Sequence, residues 1–250
     1  MIVKTTYVDV PAEGSPMRVL VAEPATTGGH YPGLVVYADI FALTEPTVRA
    51  AVRFASYGFV VAAPEFYHRT EAPGTVIPFA DRDHAFAASQ STRSEHFDAD
   101  ARTVLDYLAT HPRVRTGALG ATGFCIGGHL TVRTALLPDV KAGVAFYPTG
   151  LHANILGGST DADTLARVEK GGIGGRMLLV FGTKDPHIPL AAVTQVQTAF
   201  AASGTDYLIS FYDGEHAFMR DEGPRWNASE TDRAYAAAVS FFRESLDPLG

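Results

Sequence analysis

Hydrophobic residues along the chain switch between two spacings, and the switch predicts which segments are strands and which are helices. Apolar and polar residues alternate over Ile2–Val10 and Met17–Ala22, which is the period of a strand with one exposed face. Continuous apolar runs follow at Gly33–Tyr37 and Phe59–Ala63, as is typical of strands buried on both faces. Between these runs, apolar residues recur every three to four positions over Glu45–Tyr57, which predicts a helix.

The same alternation of buried strands and amphipathic helices continues along the rest of the sequence. Parallel neighbouring strands need a crossover connection, and right-handed crossovers place helices outside the sheet. The pattern therefore predicts an α/β fold with a mostly parallel central sheet flanked by helices on both faces. The further predicted strands are Ala118–Gly123, Ala142–Phe146, Met177–Phe181 and Tyr207–Tyr212, and the further helices are Ser94–His111, Gly128–Leu137, Leu190–Ala202 and Glu230–Ser245.

Two long stretches without a clear period interrupt the pattern, at residues 64–93 and 149–175. No shift in composition marks a second domain, so we expect one domain over residues 1–250 with these stretches as loop excursions. Long loops in compact domains are often functional, which makes each excursion a candidate lid or pocket wall. The glycine run Gly171–Gly175 precedes a predicted strand, whereas a dinucleotide-binding motif follows one, so no nucleotide cofactor is predicted there.

Composition and charge narrow the classes of protein that fit. With 20 Lys and Arg against 27 Asp and Glu, the chain has a net charge of −7 and lacks the basic character of nucleic-acid binders. No apolar run reaches the ~18 residues of a membrane span. The first residues lack the basic and apolar regions of a secretory signal, so we expect a cytoplasmic protein. The single cysteine, Cys125, excludes an internal disulfide and a thiolate zinc cage.

The most informative motif surrounds that cysteine. The sequence Gly-Ala-Thr-Gly-Phe-Cys-Ile-Gly-Gly, residues 120–128, joins a predicted strand to a predicted helix. It matches the nucleophile elbow G-x-S-x-G with Cys in place of Ser. In such an elbow the nucleophile sits on a strained turn, and small flanking residues keep the strand and the helix from colliding. We therefore predict Cys125 as a nucleophile, with the amide of Ile126 directed at a bound carbonyl oxygen.

Two other interpretations of this segment stay open at this point. Gly123 and Gly128 have the spacing of a phosphate-binding loop, but His129 and Leu130 stand where that loop needs Lys and Ser or Thr. A lone cysteine is also commonly a small buried hydrophobic residue without a chemical role. The residues that follow along the chain favour the nucleophile.

An elbow of this kind is followed along the chain by an acid after a later strand and by a His after the last strand. Asp185 follows the penultimate predicted strand, and His216 follows the last one. Catalytic groups in open α/β sheets gather at the carboxyl ends of the strands, so we expect these side chains to meet Cys125. Asp213 is an alternative acid, although it lies only three residues before His216 on the same loop. His187 on the Asp185 turn is an alternative base, although a place on the surface or in the pocket is favoured for it.

These motifs resemble those of the dienelactone hydrolase family, whose members have the α/β-hydrolase fold. The resemblance spreads over residues 33–220 and implies a hydrolase of carboxylic esters or lactones that needs no cofactor. It implies a triad of Cys125, His216 and Asp185 that acts through a thioester intermediate. The similar motifs are Gly-Phe-Cys-Ile-Gly-Gly, Gly-x-x-Asp-x-x-x-Pro around Asp185, Gly-x-His-x-Phe-x-Arg ending at Arg220, Asp39-Ile40-Phe41 and Pro64-Glu65-Phe66-Tyr67.

The same resemblance implies roles for the residues around the triad. Backbone amides of Ile40 and Ile126 would form the oxyanion hole. Arg220 and a second arginine, either Arg69 or Arg82, would grip a carboxylate of the substrate.

Three further side chains complete the predicted substrate site. Asp39 stands where the family has a Glu that is linked to the protonation of the cysteine, and its side chain is one methylene shorter, which puts this gating in question. Tyr67 and Tyr147 are expected to line an apolar pocket.

We therefore expect a small-molecule ester or lactone hydrolase that acts as a monomer or a homodimer. No metal is predicted, because the remaining histidines share no metal-ligand spacing with carboxylates or the cysteine. One alternative is a promiscuous esterase that also accepts aryl esters or phosphoesters. The other is a non-catalytic small-molecule-binding domain on the same fold, since a fold does not fix a function.

Overall fold

The computed structural model of the protein describes residues 1–246, so the last four residues of the predicted domain lie outside this description. Within it, eight strands and seven helices alternate along the chain. The strands are β1 (Val3–Val10), β2 (Met17–Pro24), β3 (Tyr31–Tyr37), β4 (Val60–Pro64), β5 (Val114–Phe124), β6 (Val140–Phe146), β7 (Arg176–Gly182) and β8 (Tyr207–Tyr212). The helices are α1 (Glu45–Ser56), α2 (Arg82–Gln90), α3 (Ser94–Thr110), α4 (Ile126–Thr134), α5 (Thr164–Glu169), α6 (Leu190–Ser203) and α7 (Ala228–Leu246).

The strands form one sheet in the order β1-β2-β4-β3-β5-β6-β7-β8. The amino-terminal hairpin supplies the two antiparallel pairings, β1 with β2 and β2 with β4. Every other pair of neighbours in the sheet is parallel. The prediction of a mostly parallel sheet is therefore confirmed.

Helices cover both faces of this sheet, as the two central strands show. A Cβ atom placed on Gly120 of β5 would point toward Leu246 of α7, at 3.1 Å. A Cβ atom on Gly143 of β6 would instead point toward Thr131 of α4, at 3.5 Å. Gly120 pairs with Ala142, the neighbour of Gly143. Because successive side chains in a strand point to opposite faces, α7 and α4 lie on opposite faces.

Two helices of the structure were not predicted from the sequence, and both lie in the predicted loop excursions. Helix α2 occupies part of residues 64–93; the Asp81 side chain caps it by accepting a hydrogen bond from the His84 amide, and few of its side chains are buried. Helix α5, within residues 149–175, is six residues long. Short helices with a narrow buried face carry too little periodicity to be detected in a sequence.

The parallel strands β3 to β8 end at the same edge of the sheet, so the segments that follow them converge there. Each of these segments carries a predicted site residue. In the order of the strands they are Asp39, Tyr67, Cys125, Tyr147, Asp185 and His216.

A buried arginine at the far end of α4 fixes the second excursion to the body of the protein. The side chain of Arg133 is 7% exposed and donates two hydrogen bonds to Asp98 of α3, at 2.6 and 2.8 Å. Its Nη1 also donates to the carboxylate of Asp163, at 2.8 Å, and to the carbonyl oxygen of Ala162. One guanidinium thus joins α3, α4 and the 149–175 segment.

We expect Arg133→Ala to lower the free energy of unfolding by about 2–3 kcal/mol. Removing one partner of a fully buried ion pair costs about 3–5 kcal/mol, but Asp98 is partly exposed and regains water. The matched control is Arg102→Ala, which breaks the exposed Arg102–Asp139 pair and should cost at most about 1 kcal/mol. Urea unfolding measures both values. Equal losses in the two variants would contradict an anchoring role for Arg133.

Candidate active site

The backbone at Cys125 has an unusual conformation that aims its side chain away from the sheet. Cys125 lies between β5 and α4 with φ 61° and ψ −119°, a combination that few residues other than glycine adopt. Its amide donates a hydrogen bond to the carbonyl oxygen of Phe146 at the end of β6, at 3.1 Å. The thiol is therefore held beside the first turn of α4, where the helix dipole favours a negative charge.

Close backbone contacts explain why glycines flank this cysteine. A Cβ atom on Gly123 would lie 2.4 Å from the carbonyl oxygen of Gly127. One on Gly127 would lie 2.3 Å from the carbonyl oxygen of Ala38, and one on Gly128 would lie 2.5 Å from that of Phe146. These partners are main-chain atoms and cannot move aside like a flexible side chain. The glycines thus let β5, α4 and the loops after β3 and β6 meet.

His216 and Asp185 form a buried hydrogen-bonded pair beside the cysteine. The imidazole Nδ1 lies 2.7 Å from Asp185 Oδ2, and the amide of His187 donates to Asp185 Oδ1 at 2.8 Å. Both carboxylate oxygens are thus engaged, which fixes the orientation of the imidazole. The opposite ring nitrogen, Nε2, lies 3.4 Å from the Thr149 hydroxyl oxygen, which in turn lies 3.4 Å from Cys125 Sγ.

The charges of this group favour a protonated imidazole. Burial lowers the pKa of His216, but the negative charge of a Cys125 thiolate and the hydrogen bond with Asp185 outweigh it and raise the pKa to about 10. Burial raises the pKa of Asp185, but hydrogen bonds from His216 and from the His187 amide bring it below its usual value. An ionised Asp185 beside an imidazolium therefore suits this site.

The two alternatives raised by the sequence lie in different surroundings. Asp213 pairs with Lys184 at 2.7 Å, and both side chains are exposed, so Asp213 is engaged away from the imidazole. The ring of His187 packs edge-on against His216, with centroids 4.8 Å apart, and lines the same cavity as Cys125. His187 thus belongs to the wall of the site.

Thr149 is a site residue that the sequence interpretation missed. Its hydroxyl oxygen lies 3.4 Å from Cys125 Sγ and 3.4 Å from His216 Nε2. Its backbone amide donates to the carbonyl oxygen of Cys125, at 3.1 Å. The sequence feature that could have identified Thr149 is its position three residues after the end of β6, at the edge of the sheet where the other site residues converge.

The two amides predicted for the oxyanion hole are free to donate. Ile126 is the first residue of α4, so its N–H has no acceptor within the helix. For the Ile40 amide, residues 1–246 offer no backbone or side-chain acceptor within hydrogen-bonding distance. Both residues line the cavity that contains Cys125.

Asp39 and Arg220 contact each other next to this cavity. Asp39 Oδ1 accepts a hydrogen bond from the Phe41 amide at 2.9 Å, and Oδ2 lies 3.6 Å from Arg220 Nη1. Burial raises the pKa of Asp39, while the Phe41 amide and Arg220 oppose the rise. The Arg220 guanidinium also lies 4.2 Å from the ring centre of Phe79. Both Asp39 oxygens thus have partners other than the thiol.

The second arginine can be chosen between the two candidates. Arg69 makes two hydrogen bonds to the buried Asp100, at 2.6 and 2.8 Å, and lies outside the cavity lining. Arg82, at the start of α2, lines the cavity, and no acidic partner within residues 1–246 pairs with it. Arg82 is therefore the arginine available to a ligand.

Tyr67 and Tyr147 are buried behind the cavity rather than in its lining. The Tyr67 hydroxyl has no hydrogen-bond partner within residues 1–246, and burial raises the pKa of this phenol. The Tyr147 ring packs against the His216 ring, with centroids 5.2 Å apart. In this arrangement both tyrosines support the site from behind, so substrate contact by either is not favoured.

A cavity of about 300 Å³ opens above Cys125 and His216. This size suits a small organic molecule. Its lining combines three arginines with apolar and aromatic side chains. The lining residues include Asp39, Ile40, Phe41, Arg82, Phe86, Cys125, Ile126, Thr149, Ile155, His187, His216, Arg220 and Arg225.

Residues 1–246 lack the features of two other kinds of site. None of the helices in this range is long and apolar enough to cross a membrane. The same range contains no group of three or more His, Cys, Asp and Glu side chains arranged to hold a metal ion.

Comparison with known proteins shows similarity along almost the whole chain. The family model described as "Dienelactone hydrolase family" matches residues 17–246. A Saccharomyces cerevisiae protein named "Putative carboxymethylenebutenolidase" is 30% identical over 230 residues, which cover 89% of this chain and 84% of that protein. A carboxymethylenebutenolidase of Pseudomonas sp. (strain P51) is 25% identical over 225 residues, or 89% of this chain and 88% of that one.

Solved structures share the fold at lower sequence identity. One from Klebsiella pneumoniae subsp. pneumoniae, named "Putative Dienelactone Hydrolase", superposes with a TM-score of 0.85 at 24% identity and covers 98% of this chain and 100% of its own. The dienelactone hydrolase-like promiscuous phosphotriesterase P91, from metagenomic libraries, gives a TM-score of 0.80 at 22% identity over 97% and 98% of the two chains. The chain therefore belongs to the dienelactone hydrolase family, the ester hydrolases of the α/β-hydrolase fold that its motifs resemble.

Proposed function

We propose that this hydrolase cleaves carboxylic esters or lactones with Cys125 as nucleophile, His216 as base and Asp185 as the residue that orients the imidazole. One observation carries the proposal: the ends of β5, β8 and β7 bring a thiol, an imidazole and a carboxylate into one site, where the imidazole is bonded to the carboxylate and a thiolate charge would act on the imidazole. Each end of the imidazole faces the partner that its task requires.

The proposed first step is attack of the Cys125 thiolate on the ester carbonyl carbon. The imidazolium of His216 holds the thiol proton, and Asp185 stabilises its charge. The carbonyl oxygen gains negative charge, which the amides of Ile40 and Ile126 would stabilise; losing one such donor typically costs about 10²–10³ in rate. The intermediate collapses as His216 protonates the leaving alkoxide, which leaves an acyl thioester on Cys125.

The second step removes the acyl group. His216, now neutral, accepts a proton from a water molecule, and the resulting hydroxide attacks the thioester carbonyl carbon. The carbon–sulfur bond breaks, the carboxylic acid leaves, and the thiolate and the imidazolium are restored. One chain supplies every group named here, so a monomer is sufficient and a homodimer is compatible. We place this activity in the cytoplasm, where a catalytic thiol stays reduced.

We propose an anionic lactone or ester as the substrate class. Carboxymethylenebutenolide, the compound in the relatives' name, is by that name an unsaturated lactone with a carboxymethylene group. Arg82 lines the cavity and has no acidic partner within residues 1–246, so its guanidinium can bind a carboxylate. Arg220 offers a second cation, shared with Asp39.

A second candidate substrate class is a neutral aryl ester. Asp39 already balances much of the charge of Arg220, and Phe41, Phe86 and Ile155 give the cavity an apolar wall. Such a wall favours an aromatic leaving group over a charged one. A phosphotriester should be assayed beside the aryl ester, because the structural neighbour P91 is named a promiscuous phosphotriesterase.

We expect Cys125→Ala and His216→Ala each to lower kcat/KM for an aryl ester by at least about 10³, because the triad acts as a unit. A control variant, His96→Ala, removes an imidazole of α3 and should leave turnover unchanged. Mass spectrometry of a quenched wild-type reaction should find the acyl group on Cys125. Turnover by Cys125→Ala at the wild-type rate would exclude the nucleophile. Tight binding of a lactone with no turnover of any ester would favour the non-catalytic binding domain.

We expect Arg82→Gln to raise KM for a carboxylate-bearing lactone by about 10-fold or more, since a hydrogen bond to a charged group is worth about 1.5–3 kcal/mol. KM for a neutral aryl ester should change little. Arg220→Gln should show the same preference but a smaller change, because Asp39 already neutralises part of its charge. Arg102→Gln, which alters an exposed arginine of α3, serves as the control. An equal rise in KM for both substrates would remove Arg82 from carboxylate binding.

A further inference from the structure

Thr149 is fixed against the nucleophile by main-chain hydrogen bonds. Its amide donates to the carbonyl oxygen of Cys125 at 3.1 Å, and the amide of Cys125 donates to the carbonyl oxygen of Phe146 at 3.1 Å. Between these two, Tyr147 has a positive φ of 38°, which turns the chain sharply at the end of β6. The Thr149 backbone is therefore held against the elbow.

The Thr149 hydroxyl has three polar neighbours. Its oxygen lies 3.4 Å from Cys125 Sγ, 3.4 Å from His216 Nε2 and 3.3 Å from the carbonyl oxygen of Tyr147. A hydroxyl has one proton to donate and lone pairs that can accept. It can therefore accept from the imidazole and donate either to the sulfur or to the Tyr147 carbonyl.

We propose that Thr149 is a further catalytic residue, whose hydroxyl stabilises a Cys125 thiolate and a His216 imidazolium before substrate binds. This inference rests on the proposed triad. The proton that leaves Sγ goes to Nε2, so the sulfur becomes negative and the imidazole positive, with no proton gained or lost by the pair. The Nε2–H group then donates to Thr149 Oγ1, and the hydroxyl donates to Sγ.

The hydrogen-bond arrangement explains why the charged state gains from the hydroxyl. In the charged state both of its bonds join ions, and hydrogen bonds to ions are about twice as strong as neutral ones. In the neutral state the hydroxyl proton can turn to the Tyr147 carbonyl, which gives one neutral bond. Thr149 thus favours the ion pair over the neutral pair.

Asp39 does not compete for this role. Its two carboxylate oxygens contact the Phe41 amide and Arg220. Within residues 1–246, the Thr149 hydroxyl is the side-chain group hydrogen bonded to Sγ. The Thr149 hydroxyl, rather than the Asp39 carboxylate, is therefore the group placed to stabilise a thiolate.

Other charged or titratable groups also act on the pair, and the experiment has to hold them constant. Asp185 and His187 approach His216 from the turn after β7. The remaining groups are Tyr67 after β4, Tyr147 after β6, and Asp39 and Arg220 beside the cavity. A substitution at Thr149 leaves every one of these side chains in place.

The test compares Thr149→Val, which removes the hydroxyl and keeps the shape, with Thr149→Ser, which keeps the hydroxyl. Thr149→Val should lower kcat/KM for a neutral aryl ester by about 10–100-fold, the loss of one hydrogen bond to a charged group. In the free enzyme, the midpoint of the pH curve for alkylation by iodoacetamide should rise by about 1–2 pH units. Thr149→Ser should resemble wild type in both measurements.

The control is Thr122→Val, which removes a buried hydroxyl bonded to the Val144 carbonyl at 2.8 Å, three residues before the nucleophile. Its kcat/KM and alkylation curve should match wild type. Thr149→Val with the wild-type alkylation curve, or Thr149→Ser as slow as Thr149→Val, would overturn the role of the hydroxyl. Cys125→Ala in the same assay separates the two proposals: if it is inactive, a negative result at Thr149 leaves the triad standing, and if it is active, the triad itself fails.

Discussion

The backbone of Cys125 has a φ of 61°, a conformation that costs a non-glycine residue about 1–3 kcal/mol, so neighbouring groups have to hold it there. At Cys125 the compensation comes from the hydrogen bond to Phe146 and from main-chain contacts so close that Gly123 and Gly127 have no room for a Cβ atom. These contacts draw together the loops after β3 and β6. Ile40 and Thr149 lie on those same loops, and Ile126 directly follows the strained residue, so the strain at one residue positions several others.

Most of the sheet could be predicted because parallel strands buried on both faces leave continuous apolar runs in a sequence. The elements that could not be predicted depend on capping and packing energies that leave no periodic pattern in the sequence. Helix α2 depends on a cap from Asp81 and on contacts made by a few small residues, neither of which produces a periodic signal. Helix α4 begins at Ile126, two residues before the predicted start, because the glycines there serve close packing rather than ending a helix.

A site residue could be predicted from the sequence when the reaction requires its residue type at a known place in the fold. The thiol, the acid and the imidazole follow strands in a required order, and the structure brings them to one edge of the sheet, with the acid bonded to the imidazole. Thr149 carries no such signature, since a threonine after a strand is common and its meaning depends on distances to two distant residues. Arg69 and Arg82 were equivalent in the sequence; they differ because Asp100 of α3 lies beside one of them.

Helix α4 touches the 149–175 segment at both of its ends. At the start of the helix, the Cys125 carbonyl accepts a hydrogen bond from the amide of Thr149. Near the end of the helix, Arg133 donates to the carbonyl of Ala162 and to the carboxylate of Asp163. The stretch from Thr149 to Asp163 is thus tied at both of its ends to α4 and the turn before it. The residues between these ties include the cavity-lining Ile155 and also Gly157 and Gly158, where a Cβ atom would meet main-chain oxygens of the first excursion. This wall of the cavity is therefore held by both excursions and by the helix that follows the nucleophile.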